Sequence, residues 1–314
     1  MTKGRATANE GVLECPEFDL QMTIDSGQTF HWTAQQGGYS GCIGDTPVFL
    51  RQTGNVLYYR GIDPVLLKSY FSFDHDLEAI RESCRRHPIS YSAALACRGL
   101  RIMRQPHWEC IATFILSPMK QVSHIRQMSL ALRTSYGSEI AINTPRPFPN
   151  PAVIANSTEP ELRRCGLGFR AKNLLATAKL VATGEFNPEK LATMNTMNAR
   201  MELCSLPGIG RKVANCILLF AYERLDVVPV DVWIARILGS FRSRKSGLLQ
   251  LEQYGEKLLG PYAGYVQQFL FHTARTGKLE LPGTSPRSNS TRASLPRVAK
   301  LRTIKNRKGL AVSA

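Results

Sequence analysis

An amine and a carboxylate nineteen residues apart, Lys212 and Asp231, carry the strongest chemical signal in this chain. Lys212 belongs to the run Leu206-Pro207-Gly208-Ile209-Gly210-Arg211-Lys212-Val213-Ala214, which has a helical pattern on either side. Pro207 and the two glycines end one helix and permit a tight turn into the next. Lys212 then falls in the first turn of the second helix, where the positive end of the helix dipole disfavours an ammonium and favours a nucleophilic amine. Taken alone, a lysine at such a position is more often a phosphate contact. Asp231 tips the reading toward chemistry. It lies in Val228-Pro229-Val230-Asp231-Val232-Trp233, among apolar neighbours, where an acid needs a partner or a task. It can cap the helix beginning near Val232 and still stabilise positive charge. A carboxylate beside an electron-poor, oxocarbenium-like sugar, with an amine taking C1′, is a workable machine for breaking a glycosidic bond. Its covalent product would be a Schiff base, from which β-elimination can cut the strand.

The same run explains how a nucleic acid would be held. Backbone amides around Gly208 and Gly210, at the start of a helix and next to Arg211, can bind a DNA phosphate. Leu-Pro-Gly-x-Gly between two helices is a strong helix-hairpin-helix signature, the bland alternative being a helical hairpin with no ligand. Charge agrees: 40 Lys plus Arg against 24 Asp plus Glu give a formal +16, which favours a polyanionic partner. Half of that excess falls in residues 282–314, with eight basic residues and no acidic one, so charge alone says little about the folded surface. This segment is expected to be a disordered basic tail, either a solvated terminus or an arm adding non-specific DNA affinity.

The elements that must position these residues divide along the chain. Residues 1–17 read as an N-terminal lead. From Phe18 to Gly61 short segments rich in Thr, Val, Tyr and Phe are broken at Asp25-Ser26-Gly27, Gly37-Gly38 and Gly54-Asn55, which predicts an antiparallel sheet. Leu77 to Arg85 reads as a helix packed on that sheet, giving an α+β domain over 18–97 with a junction at Arg98-Gly99. Apolar residues then recur three and four apart in Cys110–Leu116, Ile125–Leu132, Leu174–Val181 and Ile217–Phe220, predicting an all-α domain over 98–281.

Other classes are disfavoured. The longest apolar stretches, such as Cys216–Tyr222, are far shorter than a membrane span of roughly 20 residues, and residues 1–6 lack the apolar segment of a secretory signal. The eight cysteines are scattered, without a Cys-x-x-Cys pair, and read as reduced thiols in a cytosolic or nuclear setting. None follows Cys216, which excludes a C-terminal four-cysteine iron-sulfur loop. No motif asks for a metal or organic cofactor, although hairpin carbonyls could hold a monovalent cation.

Across residues 18–280 the chain resembles the 8-oxoguanine DNA glycosylases of the helix-hairpin-helix, Gly/Pro-loop, aspartate superfamily. The blocks that carry the resemblance are residues 25–32, Leu100–Cys110, Gly166-Leu167-Gly168-Phe169-Arg170-Ala171-Lys172, Leu206–Cys216, Val228–Val232 and Gly260-Pro261-Tyr262-Ala263-Gly264. The resemblance implies a bifunctional glycosylase and abasic-site lyase, acting as a monomer on duplex DNA with a flipped-out oxidised guanine. It would work wherever the DNA is, in nucleoid or nucleus. It further implies that the carbonyl of Gly27 accepts the hydrogen at N7 of the lesion, that Cys216 and Phe271 sandwich the base, and that Gln267 bonds its Watson-Crick edge. Phe169 becomes the wedge, and Arg170 a contact to the orphaned base. Helix spacing is compatible, since Lys212 and Cys216, and Gln267 and Phe271, are each four residues apart.

Three departures stand out. Ser117-Pro118-Met119-Lys120-Gln121 replaces an Asn-rich turn, and His124 stands where an arginine reading the opposite cytosine is expected, so preference for cytosine opposite the lesion is an open point. Trp233 replaces a histidine. The rival readings are a glycosylase for alkylated bases, an endonuclease III-like enzyme for oxidised pyrimidines, and a non-catalytic damaged-DNA-binding module.

Overall fold

The computed structural model describes residues 9–241 and 247–279; the basic tail expected over 282–314 lies outside the described residues. Five strands form one antiparallel sheet, β1 (Glu10–Glu14), β2 (Thr33–Gln35), β3 (Gly38–Ile43), β4 (Thr46–Thr53) and β5 (Val56–Arg60), in the order β1-β5-β4-β3-β2. Two-residue turns set the register of the three hairpins, with Gln35 opposite Gly38, Ile43 opposite Thr46, and Thr53 opposite Val56. Gly54, at φ 56°, supplies the left-handed backbone that such a turn demands. Alternation does the rest: Val48 and Leu50 on β4 and Leu57 and Tyr59 on β5 point inward and join Trp32 and Phe71 in a small core.

The lead expected over residues 1–17 is not unstructured throughout, because β1 within it pairs with β5 along its length. Gly11 is what lets it approach: a β-carbon there would lie 2.6 Å from the Tyr59 hydroxyl.

Helices α1 (Leu20–Asp25) and α2 (Pro64–Tyr70) accompany the sheet, and α3 (Leu77–Cys84) and α4 (Pro88–Ala96) follow. Then come α5 (His107–Ile115), α6 (Val122–Tyr136), α7 (Pro151–Ala155), α8 (Glu159–Arg164), α9 (Arg170–Ala182) and α10 (Thr196–Ser205). The last described helices are α11 (Arg211–Ala221), α12 (Val232–Ser240), α13 (Leu248–Leu259) and α14 (Ala263–Arg275). The α3 segment is helical as expected, but its company differs. Leu77, Ile80 and Cys84 join the large helical core rather than the sheet core, and α4 packs on α14. The physical reason lies in α4, whose buried Ala93, Ala94 and Ser90 are small enough to let two helices approach closely. Residues 77–97 thus belong by packing with the helices.

A buried ion cluster braces the helical body near the sheet. Glu109 on α5 pairs with Arg133 on α6 and lies 3.2 Å from His31 Nδ1, all three almost fully enclosed. Burial opposes ionisation of Glu109, but Arg133 and His31 outweigh it and hold the carboxyl down at about 2. A carboxyl depressed in the fold contributes stability above its unfolded value, and that contribution is lost as pH falls from roughly 4 toward the folded value. Glu109→Gln would strand the Arg133 charge, so we expect it to lower unfolding stability by about 3–5 kcal/mol. Urea denaturation checks this, and an unchanged midpoint would remove the cluster from the account of stability.

Candidate active site

The hairpin is built as its residues dictate. Leu206 and Ile209 are buried in the core, while Gly208 between them takes φ 83° and passes so close to α9 that a β-carbon would lie 2.5 Å from Asn173 Nδ2. Gly210 caps α11 with extended backbone, leaving the first-turn amides of α11 without helical acceptors. Arg211 is half-exposed and forked onto Glu252 of α13, with Nε–Oε2 at 3.2 Å and a second bond at 2.6 Å. It therefore ties the hairpin to α13.

Lys212, the second residue of α11, points into a cleft also lined by Gly27, Cys216, Asp231, Gln267 and Phe271, with Phe114, Phe220, Pro229 and Gln268 completing the wall. All six residues expected to touch the reacting nucleotide thus converge, although they come from four separate stretches of chain. The Lys212 amine lies 5.9 Å from the centre of the Phe114 ring and is electrostatically coupled to both Asp231 and Cys216.

Asp231 is the N-cap of α12, accepting from the amides of Trp233 (3.0 Å) and Ile234 (2.9 Å). Burial raises its pKa, while those amides and the Lys212 charge pull the other way. The carboxylate is therefore held, at some cost, in a poorly solvated place facing a cation. Burial likewise pushes the Cys216 thiol up, against the pull of Lys212, so at neutral pH it presents a protonated wall to the cleft. The spacing between Lys212 and Asp231 is set by Asn215. Fully buried three residues after Lys212, it donates from Nδ2 to the Val228 carbonyl at 3.2 Å and accepts from Arg200 Nε at 2.7 Å.

Gly27 is held by a second network. It takes φ 89°, and a β-carbon there would meet Phe271 Cε1 and Val122 Cγ2, both at 3.2 Å. Buried Gln28 fastens the turn, bonding Ser26 Oγ (2.9 Å), the Arg101 carbonyl (2.8 Å) and the Met103 amide (2.9 Å). From α14, Gln268 Nε2 donates to the Ser26 carbonyl at 3.0 Å and Arg275 to the Asp25 carbonyl. Gln267, next to Gln268, is only 4% exposed, and its Oε1 has no hydrogen-bond partner among the described residues. A buried amide oxygen left unbonded costs about 1–3 kcal/mol, so this one is poised for a donor that arrives with a ligand. The cleft itself is narrow, about 40 Å³, room for a water or two.

The residues expected to meet the rest of the duplex are arranged less uniformly. Phe169 is 53% exposed, as a wedge requires, and His124 is exposed on the first turn of α6. Arg170 departs from expectation. It is 3% exposed and its guanidinium donates to the Pro118 carbonyl, from Nε at 3.2 Å and from a second nitrogen, so in this conformation it is not free to touch a base. Sequence reasoning also passed over Phe114, Phe220, Gln268 and Asn215. The first two looked like ordinary core, but a polar Asn in the apolar run Val213–Phe220 was a usable signal.

Comparison with known proteins agrees with this geometry. Residues 12–111 match the family described as 8-oxoguanine DNA glycosylase, N-terminal domain, and residues 113–261 match the HhH-GPD superfamily of base excision DNA repair proteins. A Methanothermobacter thermautotrophicus protein named "Probable N-glycosylase/DNA lyase" is 29% identical over 301 residues, covering 84% of this chain and 96% of its own. The Arabidopsis thaliana N-glycosylase/DNA lyase OGG1 is also 29% identical, over 81% of this chain and 77% of its own. Among solved structures, the Clostridium acetobutylicum 8-oxoguanine glycosylase/lyase, bound to duplex DNA with cytosine opposite 8-oxoguanine, superposes with a TM-score of 0.81 at 26% identity, covering 87% of this chain and 98% of its own.

Proposed function

This chain belongs to the 8-oxoguanine glycosylase branch of the HhH-GPD superfamily, and from that premise we propose that it excises 8-oxoguanine from duplex DNA and then cuts the strand at the abasic site. The observation that carries the reading is the convergence of Lys212, Asp231, Gly27, Cys216, Gln267 and Phe271 on one cleft beside a helix-hairpin-helix. The hairpin amides anchor a phosphate, and the target nucleotide leaves the stack to enter the cleft. The unbonded Gln267 oxygen takes a donor from the Watson-Crick edge, Cys216 and Phe271 close over the faces, and the Gly27 carbonyl accepts the N7 hydrogen that guanine lacks.

As the glycosidic bond lengthens, its electrons go to the base and positive charge grows on the sugar, where Asp231 stabilises it. Lys212 Nζ, having lost a proton, forms the bond to C1′. Ring opening gives the Schiff base, and loss of a C2′ proton expels the 3′ phosphate. One chain supplies every group of the site, in keeping with action as a monomer, and the enzyme works in whichever compartment holds DNA.

The test is base release from duplexes carrying 8-oxoguanine, 3-methyladenine or an oxidised pyrimidine. Release of 8-oxoguanine alone is expected; release of only an alkylated base or only a pyrimidine would reassign the enzyme within the superfamily. Two substitutions refine it. Gln267→Ala should lower excision about 10²-fold while preserving duplex binding, and a parallel loss of all DNA binding would make Gln267 structural. Gly27→Ala, which forces a side chain against Phe271 and Val122, should reduce excision yet leave borohydride trapping at a preformed abasic site intact. Equal loss of both would show general damage to the fold.

A further inference from the structure

We infer that Arg275 is a specificity-determining positioning residue, one that fixes the free carbonyl of Gly27 relative to the Phe271 ring, with Asp25 and Arg126 as its electrostatic frame. The inference rests on the reading above, in which that carbonyl tells 8-oxoguanine from guanine, and adds what holds it in place.

Four successive carbonyls run through the turn that closes α1, and three of them are taken. The Asp25 carbonyl accepts from Arg275, the Ser26 carbonyl from Gln268 Nε2 at 3.0 Å, and the Gln28 carbonyl from Gln105 Nε2 at 2.9 Å. Among the described residues nothing donates to the Gly27 carbonyl. An acceptor left free between bonded neighbours awaits a donor from outside, and its position is set by the bonds on either side. Gln105 also donates its amide to the Phe220 carbonyl at 2.8 Å, so the turn is tied to α11 as well as to α14. Gly27, at φ 89° and without a side chain, has no anchor of its own, and a shift at Asp25 passes straight to its carbonyl.

Arg275 is the member of this frame that its own helix does not need. It is the last residue of α14, where an arginine ordinarily serves the terminal carbonyls, yet those of His272, Thr273 and Ala274 already accept from the amides of Thr276, Lys278 and Gly277 respectively. Its guanidinium reaches instead to a carbonyl 250 residues earlier, and lies 5.8 Å from the centre of the Phe271 ring, one turn back on the same helix. The placement is costly. Burial pushes the Arg275 pKa down and the charge of Arg126 adds to this, against the pull of Asp25, while its Nε has no hydrogen-bond partner among the described residues. The Asp25 carboxylate accepts from Arg126 at 3.0 Å and so serves two cations at once. What the cost secures is one rigid, planar group in contact with both the backbone that carries the reading carbonyl and the ring that stacks on the base. A hydrogen bond weakens steeply with distance and angle, so recognition of the N7 hydrogen depends on that fixed relation.

The experiment measures duplex affinity in the Lys212→Gln background, where the base is bound but not released, with 8-oxoguanine, guanine or a tetrahydrofuran abasic analogue at one position opposite cytosine. The parent is expected to prefer 8-oxoguanine over guanine. Arg275→Met, which keeps an apolar stem beside Phe271 and removes the donors, should lower that preference about tenfold by weakening the 8-oxoguanine duplex, and leave the tetrahydrofuran duplex, which presents no N7, unchanged. Arg275→Lys still offers a donor and should restore most of the preference. Should Arg275→Met fail to fold, Arg126→Gln, at a partly exposed side chain, probes the same frame and should lower the preference about threefold. An undiminished preference in whichever of these variants folds would overturn the inference, and so would equal weakening on all three duplexes, the mark of a residue that serves only the fold. A parent with no preference for 8-oxoguanine would instead refute the glycosylase reading and the inference with it.

Discussion

Lys212→Gln is expected to abolish the borohydride-trapped adduct on an 8-oxoguanine duplex and to lower base excision by about 10⁴-fold or more, with duplex affinity changed by no more than a few-fold. The separation follows from the architecture. Phosphate binding is assigned to backbone amides around Gly208 and Gly210, which a change at the Lys212 side chain leaves in place. Glutamine is also a good helix former, and position 212 is partly solvated, so α11 should tolerate it. What disappears is the amine that, on the proposed mechanism, bonds to C1′. Strand cleavage surviving in the variant would mean that another amine or water does the work, and the site would have to be redrawn around Asp231.

Asp231→Asn is the second large effect, and the cap makes it unusually clean. Asp231 both terminates α12 and faces Lys212. Asparagine keeps an oxygen for the Trp233 and Ile234 amides and caps about as well as aspartate, so thermal stability should barely move. The negative charge is gone, and excision should fall by about 10²–10³-fold. Asp231→Ala should match that loss and add about 1 kcal/mol of destabilisation from the missing cap. A pH signature accompanies this. Burial raises the Asp231 pKa above its ordinary 3.8, so wild-type excision should decline with falling pH before an ordinary carboxylate would protonate, and this limb should vanish in Asp231→Asn. Equal stability losses in the two variants would argue that the residue is a cap and nothing more.

How much of this was legible beforehand depended on the range of the interactions concerned. Lys212, Asp231 and the hairpin were readable because glycines, a proline and a helix start are local signals. Gln267 and Phe271 could be paired by helical spacing, but only the family resemblance gave them a role, since a buried Phe is ordinarily core. Strand β1 escaped because Glu10–Glu14 shows almost no hydrophobic alternation: Val12 faces solvent, and the inward Gly11 makes room for a tyrosine forty-eight residues away. The affiliation of α3 and α4 was equally hidden, being decided by how closely small residues on α4 let α14 approach. The placement of Arg170 was hidden for a related reason, because a sequence does not reveal whether a guanidinium is committed to a carbonyl fifty-two residues earlier.

The narrowness of the cleft has a bearing on how undamaged DNA is treated. With space for little more than a water, it offers an ordinary base no ready lodging, and its movable walls are side chains, Phe271, Cys216 and Gln267, while the Gly27 turn behind them is bolted to α14. Entry of a base into a cleft of this size requires Phe271 and its neighbours to move. On the proposed function every nucleotide that is tested meets the same threshold, and only one that satisfies both the Gln267 oxygen and the Gly27 carbonyl recovers what crossing it required. On that reading the resting cleft is closed to normal DNA by default, and each lesion must open it anew.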